Sequence, residues 1–273
     1  MYHKIHLTMI HDTLPIAHTR DTIEILGIPF NNVTKQEMLS NIENFSAEYQ
    51  QKNMFIVTAN PEIAYYAKTH ENYLTRIKAA DYIVPDGIGI IKAAKYLKTP
   101  LKERIPGIEL MEAMLGIADR DHKRVFLLGG SKETVKKCKK KLREKYPGIT
   151  FKSKHGYKDI HDHKTLKKIK AFEPDFVFVA MGYPKQESYI YYNQHHFSHT
   201  VFMGVGGSFD VFSGNVKRAP EFFIKTNMEW LYRIMTDFRR FKRAVAIPLF
   251  LIQIVKQKYV IDNDPHAHFK DKD

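Results

Sequence analysis

The amino-acid sequence predicts an α/β protein with a Rossmann-like, mostly parallel sheet and helices on both of its faces. Short apolar runs alternate with helical periodicity along most of the chain, and three of these runs end in glycine-rich junctions. With 273 residues and 44% apolar content, the chain is long enough to bury a large core. The predicted strands span residues 22–28, 54–58, 82–84, 125–128, 149–152, 176–180 and 200–203.

Helix starts follow several of these strands. The segment Asn60-Pro61-Glu62 supplies an N-cap residue, a proline for the first helical position and an early acidic residue. Ser131 and Pro184 begin similar segments after the strands at 125–128 and 176–180. Each predicted helix therefore begins just beyond the carboxyl end of a strand.

Glycine-rich junctions follow three strands, at Gly129-Gly130, at Gly182 and at 204–207, which contains Gly206 and Gly207. Glycine lets backbone N–H groups approach an anion closely, and the carboxyl ends of parallel strands meet at one edge of a sheet. Because a basic pair, Lys217-Arg218, follows the third junction, we expect one shared phosphate-binding cleft.

The formal charge of +13 favours an anionic partner such as a nucleotide, a nucleic acid or an acidic membrane face. Ten Lys or Arg residues and only three acids lie between positions 217 and 258, a net charge of +7. No nucleic-acid recognition motif is present, which disfavours a nucleic acid as partner.

The segment 220–273 is predicted to form a C-terminal helical appendage to a core at 21–219, with 1–20 as an N-terminal extension. Arg233, Arg240 and Arg243 lie roughly 100° to 180° around the helix from an apolar stripe. The apolar run 244–255 is shorter than the roughly 20 residues of a membrane span. Two interpretations stay open: a helix that closes the core, or one that associates with a membrane surface.

The compartment is predicted to be the cytoplasm. Cys138 is the single cysteine, so no intramolecular disulfide can form, and the first twenty residues contain no secretory apolar region. With the membrane-surface interpretation, the expected location is the inner face of the cell membrane.

Polar side chains at predicted strand ends are the candidates for chemistry. Asp86 follows strand 82–84, where it is either a general base or a helix cap. Arg104 is either a phosphate clamp or one half of a surface ion pair. Gln186 and Glu187 open a helix, where they either bind a sugar or base or are ordinary helix-start residues. Thr58, like Asn60, is first a cap candidate.

Metal sites are disfavoured. The three Asp-x-Asp segments, at 119–121, 262–264 and 271–273, do not follow buried strands, and the histidine pairs lack ligand spacing. The sequences of the glycine turns do not match the dinucleotide-binding motif G-x-G-x-x-G. We therefore expect neither a metal nor an organic cofactor.

Five ordered segments together resemble the WecG/TagA/CpsF glycosyltransferase family, with matching order and approximate spacing from about residue 23 to residue 243. The segments are 58–62, 86–89, 104–107, 181–187 and 204–210. In detail they are most similar to the TagA/TarA branch of Gram-positive bacteria. The resemblance implies transfer of N-acetylmannosamine from UDP-ManNAc to undecaprenyl-diphosphate-GlcNAc, which makes the linkage disaccharide of wall teichoic acid.

The resemblance also implies roles for residues. The catalytic base of the family falls on Asp86, and Thr58, Arg104 and Gln186 fall on further important positions. The family's C-terminal arginines, thought to engage the lipid diphosphate at the membrane, correspond by segment to Arg233, Arg240 and Arg243. Tyr183 stands where many members have a smaller residue. The other positions expected to bind substrate are Asn60, Gly129, Gly182, Lys185, Glu187, Gly206, Gly207 and Asp210.

Two alternatives use the same features. A different nucleotide-sugar enzyme, such as an epimerase or a transferase with another UDP-sugar donor, would share the glycine turns and basic residues. A nucleic-acid-binding protein would share the charge and the 12% aromatic content. The oligomeric state stays open, with a homo-oligomer among the alternatives.

Overall fold

A computed structural model describes residues 21–48, 52–156, 162–226, 229, 231–232 and 245–263. Its strands are β1 Thr22–Ile25, β2 Ile28–Asn31, β3 Met54–Ala59, β4 Tyr82–Pro85, β5 Arg124–Gly129, β6 Thr150–Lys154, β7 Phe176–Ala180 and β8 Val201–Gly204. Its helices are α1 Lys35–Glu48, α2 Pro61–Thr69, α3 Glu71–Lys78, α4 Ile88–Tyr96, α5 Gly107–Arg120, α6 Lys132–Lys145, α7 His163–Lys170, α8 Lys185–Asn193, α9 Ser208–Ser213, α10 Glu221–Lys225 and, as α11, Ala246–Asp262.

Six of the strands form one parallel sheet in the order β4-β3-β8-β7-β5-β6. All residues of β3 and β7 are buried, as expected of strands that are covered on both faces. Phe55 and Val57 point into one apolar cluster, whereas Met54 and Ile56 point into a second cluster on the opposite face. The predicted α/β fold with a parallel sheet flanked by helices is confirmed.

The prediction of one continuous strand at 22–28 is wrong. The chain turns back at Leu26 and Gly27, and β1 and β2 form an antiparallel hairpin in which Ile25 pairs with Ile28. Leu26 and Gly27 both have positive φ, +53° and +83°, which a two-residue hairpin turn with this twist requires. Leucine seldom adopts positive φ, so the pattern of apolar residues did not indicate the turn.

The C-terminal helix α11 packs against α2 and α4. Phe250 and Ile254 are buried in the same apolar cluster as strand β3, and the Oε1 atom of Gln257 accepts a hydrogen bond of 2.9 Å from the N–H of Leu26. This helix therefore closes the core, which is the first of the two interpretations of the C-terminal segment. Within the described ranges, no helix combines the length and the apolar character needed to cross a membrane.

Candidate active site

A cavity of about 630 Å³ opens at the carboxyl edge of the sheet. The ends of β3, β4, β7 and β8 contribute to its wall, together with the first residues of α2, α4 and α5. This is the edge at which open parallel sheets bind their ligands. The structure brings nine of the predicted site residues to this wall: Thr58, Asn60, Asp86, Arg104, Gly182, Gln186, Gly206, Gly207 and Asp210.

Three other predicted residues do not line the cavity. A Cβ atom on Gly129 would lie 2.3 Å from the carbonyl oxygen of Ala180, so glycine is needed there for the close approach of β5 and β7. The side chain of Lys185 is exposed, and Glu187 is buried behind the wall with 1% of its surface exposed. Arg233, Arg240 and Arg243 lie outside the described residues.

Asp86 and Thr58 meet at the first residue of α5. Thr58 is the penultimate residue of β3 and pairs with Val84 of β4, which places Asp86 one strand away at the same edge. A Cβ atom on Gly107 would lie 2.8 Å from Oγ1 of Thr58 and 3.4 Å from Oδ2 of Asp86. Gly107 therefore leaves room for both oxygens. Helix α4 has Gly87 as its N-cap residue, one position after Asp86.

Asn60 is the N-cap of α2, as the sequence predicts. Its Oδ1 atom accepts a hydrogen bond of 3.0 Å from the N–H of Ile63, and Pro61 occupies the first helical position. A Cβ atom on Gly89 would lie 2.6 Å from Cγ of Pro61. This close contact brings the starts of α2 and α4 together at the cavity.

Two cationic side chains, Arg104 and Lys92, line the cavity without forming an ion pair among the described residues. In the part of the chain that the structure describes, neither Arg104 nor Lys92 has a hydrogen-bond or ion-pair partner. The interpretation of Arg104 as one half of a surface ion pair is therefore not supported. Lys92 was missed in the sequence, although it lies one helical turn after Ile88 and so shares a face with the 86–89 segment.

Helix N-termini add positive potential to the cavity. Pro61, Ile88 and Gly107 are the first residues of α2, α4 and α5, and all three line the wall. The unpaired N–H groups and the dipole of a helix N-terminus favour anions. Together with Arg104 and Lys92, these helices give a site suited to a diphosphate.

Gln186 is buried between the glycine turns that follow β7 and β8. Its Oε1 atom accepts hydrogen bonds from the N–H of Gly182 at 3.2 Å and from the N–H of Gly206 at 3.0 Å. Its Nε2 atom donates to Oε1 of Glu187 at 2.7 Å. The glycine-rich junctions predict that these N–H groups face an anion, but both of them donate to the side chain of Gln186.

Glu187 and Tyr73 are buried beside each other between α8 and α3. Burial raises the pKa of Glu187 above its usual value, while the hydrogen bond from Gln186 acts in the opposite direction. Burial, and then the neighbouring Glu187, raise the pKa of Tyr73. The expectation that Glu187 contacts substrate is therefore not supported by its position.

Asp210 lies on the opposite side of the cavity, in α9. Its Oδ1 atom accepts a hydrogen bond of 3.3 Å from the hydroxyl of Thr134, which is 2.9 Å from the hydroxyl of the N-cap residue Ser131. These contacts connect the start of α6 to α9. They hold the carboxylate of Asp210 at the cavity wall, where it can accept hydrogen bonds from a sugar or base.

The Asp-x-Asp segment at 119–121 serves the fold. Oδ1 of Asp119 accepts a hydrogen bond of 2.7 Å from the N–H of Gly148, and Asp121 pairs with Arg120 at 2.7 Å. The hydrogen bond that Arg120 donates holds the pKa of the Asp121 carboxyl below its usual value. Among the described residues, no group of three or more His, Cys, Asp or Glu side chains could hold a metal ion.

A second cavity, of about 580 Å³, lies beside the edge strand β6. Its lining contains six lysines: Lys132, Lys136, Lys139, Lys152, Lys154 and Lys168. Lysines along an exposed sheet edge discourage pairing with another chain. We attribute this charge to protection of the edge.

The sequence profile of the "Glycosyl transferase WecG/TagA/CpsF family" matches residues 23–263. A protein from Staphylococcus aureus strain COL is 50% identical over 236 residues, which cover 86% of this chain and 93% of the relative. A second protein, from Staphylococcus aureus strain MRSA252, is 48% identical over the same length. Both relatives are named "N-acetylglucosaminyldiphosphoundecaprenol N-acetyl-beta-D-mannosaminyltransferase". The profile match spans most of the chain, and the chain therefore belongs to the WecG/TagA/CpsF family of glycosyltransferases.

Proposed function

We propose that this chain transfers N-acetylmannosamine from UDP-ManNAc to the C4 hydroxyl of GlcNAc in undecaprenyl-diphosphate-GlcNAc, a step in wall teichoic acid synthesis. The observation that carries the proposal is the carboxylate of Asp86, which lies beside Thr58 in a cavity whose two cations, Arg104 and Lys92, form no ion pair among the described residues. The acceptor follows from the name of relatives that are 50% identical to this chain.

Asp86 acts as the general base of an inverting displacement. As the acceptor hydroxyl attacks the anomeric carbon, its proton passes to the carboxylate of Asp86 and a new glycosidic C–O bond forms. The bond from the anomeric carbon to the diphosphate oxygen breaks, and UDP leaves with the electron pair. Thr58 lies next to Asp86 and is positioned to hold the acceptor hydroxyl or the sugar.

The negative charge that develops on UDP is stabilised by fixed positive groups. Arg104 and Lys92 supply full charges, and the N-termini of α2, α4 and α5 supply oriented N–H groups. The N–H groups of Gly182 and Gly206 are not part of this set because Gln186 accepts both of them. These groups would make a divalent metal unnecessary for the reaction.

The test of the proposed reaction uses purified protein, UDP-ManNAc and a short-chain lipid-diphosphate-GlcNAc in the presence of a chelator. We expect a disaccharide lipid, detected by mass, at the same rate with and without the chelator. A strict requirement for Mg²⁺ or Mn²⁺ would contradict metal independence. Absence of product with UDP-ManNAc, but product with another UDP-sugar, would favour the related family transferase with a different donor.

The exposed face of α11 supports association with the inner membrane surface. Leu251, Ile252, Val255 and Tyr259 are each at least half exposed, although α11 is otherwise packed on the core. Ile247 and Leu251 also line the active-site cavity. A lipid-linked acceptor could therefore keep its polyprenyl chain along this face while its sugar enters the cavity.

The double variant in which Ile252 and Val255 are both replaced by glutamate is expected to bind anionic vesicles roughly 10²-fold more weakly. Withdrawal of two aliphatic side chains from lipid costs about 3 kcal/mol or more, and each 1.4 kcal/mol is a factor of ten. Co-sedimentation with vesicles measures the change. Val216→Glu is the control, because Val216 is 45% exposed but lies outside α11. Equal vesicle binding by the double variant and the control would overturn the membrane proposal.

A further inference from the structure

We propose that Glu187 is a positioning residue: it holds the side-chain amide of Gln186 in the orientation that ties the glycine turns after β7 and β8 together. Its effect on catalysis rests on the proposed function, whereas its effect on the two turns does not. Glu187 itself is not part of the cavity wall.

The amide of Gln186 connects the ends of two neighbouring strands. Gly182 follows β7 and Gly206 follows β8, and their N–H groups converge on the same Oε1 atom. Both glycines have positive φ, +73° and +50°, so neither turn is held by the backbone preferences of ordinary residues. The side chain of Gln186 therefore ties the two turns together beyond the last backbone hydrogen bond between their strands, from Val205 to Val179.

This bridge works in only one orientation of the amide. Rotation of the amide by 180° would place the NH₂ group against two N–H donors and leave all of them without an acceptor. The carboxyl oxygen Oε1 of Glu187 accepts from Nε2 and so selects the productive orientation. The backbone of Gly204 confines the same group, since a Cβ atom there would lie 2.7 Å from Nε2.

The position of Glu187 is otherwise costly for the fold. Its side chain is fully enclosed, and neither its Oε2 atom nor the hydroxyl of Tyr73 has a partner in hydrogen-bonding geometry among the described residues. Burial of a carboxyl without full hydrogen bonding costs free energy, so a carboxyl at this site between α3 and α8 needs a compensating role. Orientation of Gln186 gives a reason for a carboxyl at this position.

The variants Glu187→Met and Glu187→Gln separate this role from simple packing. Methionine fills a similar volume but cannot accept the hydrogen bond, whereas glutamine can still present an oxygen to Nε2 of Gln186. We expect hydrogen exchange of the Gly182 and Gly206 amides to become at least about tenfold faster in Glu187→Met. We expect it to stay within about threefold of the parent chain in Glu187→Gln.

The sugar-transfer activity of the same variants is measured as well. We expect kcat/KM of Glu187→Met to fall about 10- to 10²-fold, because small displacements of a site have large effects on rate, and Glu187→Gln to recover most of it. In a Gln186→Met background, Glu187→Met should cause little further loss, since the two residues act as a unit. Thermal unfolding of each variant, and rates expressed per folded enzyme, separate loss of fold from loss of alignment.

Four outcomes are decisive. Unchanged amide exchange in Glu187→Met would overturn the inference, as would equal losses in Glu187→Met and Glu187→Gln. Additive losses in the double variant would also overturn it, because Glu187 would then act independently of Gln186. Faster exchange in Glu187→Met, with recovery in Glu187→Gln, supports the positioning role even if the parent chain makes no disaccharide lipid, a result that would count against the proposed reaction alone.

Discussion

Asp86→Asn is expected to lower kcat by roughly 10²- to 10⁴-fold, the range typical for loss of a general base. Asparagine has nearly the shape of aspartate but cannot take up the proton of the attacking hydroxyl. Asp86 lines the cavity just after β4, close to the Oγ1 atom of Thr58. The substitution therefore removes the basic carboxylate from the cavity with little change in side-chain volume. Turnover of UDP-ManNAc to the disaccharide lipid measures the loss.

UDP binding provides the internal comparison for Asp86→Asn. Calorimetric titration with UDP should give a Kd within a few-fold of the parent protein, because Arg104, Lys92 and the helix N-termini are unaltered. Glu133→Gln serves as the control, since Glu133 is an exposed residue that pairs with Lys137 outside the cavity. Near-normal turnover by Asp86→Asn would return Asp86 to a role in the start of α4.

Gly107→Ala is expected to lower kcat/KM by about 10²-fold or more. The added Cβ atom would lie 2.8 Å from Oγ1 of Thr58, closer than Cβ atoms approach other atoms in folded proteins, and a tight 3.3 Å from Cβ of Thr58. Thr58 is a buried residue near the end of the interior strand β3 and its backbone cannot move away freely, so either its side chain or the start of α5 must shift. A displacement of about 1 Å at a reacting centre commonly costs this much in rate.

Gly116→Ala in the same helix is the matched control. No atom lies within 4 Å of a Cβ atom added at Gly116, and α5 continues on both sides of it. We expect this variant to keep full activity and to gain about 0.5–1 kcal/mol in free energy of unfolding, because alanine favours helix over glycine. Urea unfolding of both variants shows whether Gly107→Ala still folds. Full activity of folded Gly107→Ala would show that the Thr58–Asp86 arrangement is not needed for the reaction.

The strands of the parallel sheet could be predicted to within two residues, because all of them except the edge strand β6 are largely apolar runs. Strands buried on both faces need such runs, and the glycines and helix starts that follow them are local signals. The same locality explains the correct prediction of Asn60 as an N-cap. The hairpin at Leu26 and Gly27 was missed because its turn uses a leucine at positive φ.

The site could be predicted in part. Thr58 lies near the end of a strand and Asp86 follows the next one, and the parallel topology was enough to place them at one edge. Arg104 lies between two helices, and only the family resemblance indicated that it belongs to the site. Lys92 was missed because an isolated lysine on a helix has no distinctive pattern. Gly129 and Glu187 were expected at the wall, but the first is required by strand packing and the second lies behind the wall.

The sequence by itself determined the order of strands and helices, the helix caps and the set of polar residues at strand ends, because each of these depends on neighbours within a few positions. Only the tertiary structure decided which groups meet. Gln186 accepts from Gly206, twenty positions away, and Gln257 accepts from Leu26 at the far end of the chain. Gly107 is confined by Thr58, which no local pattern relates to it. Contacts of this kind depend on how the sheet edge brings distant segments together, so they follow from packing rather than from periodicity.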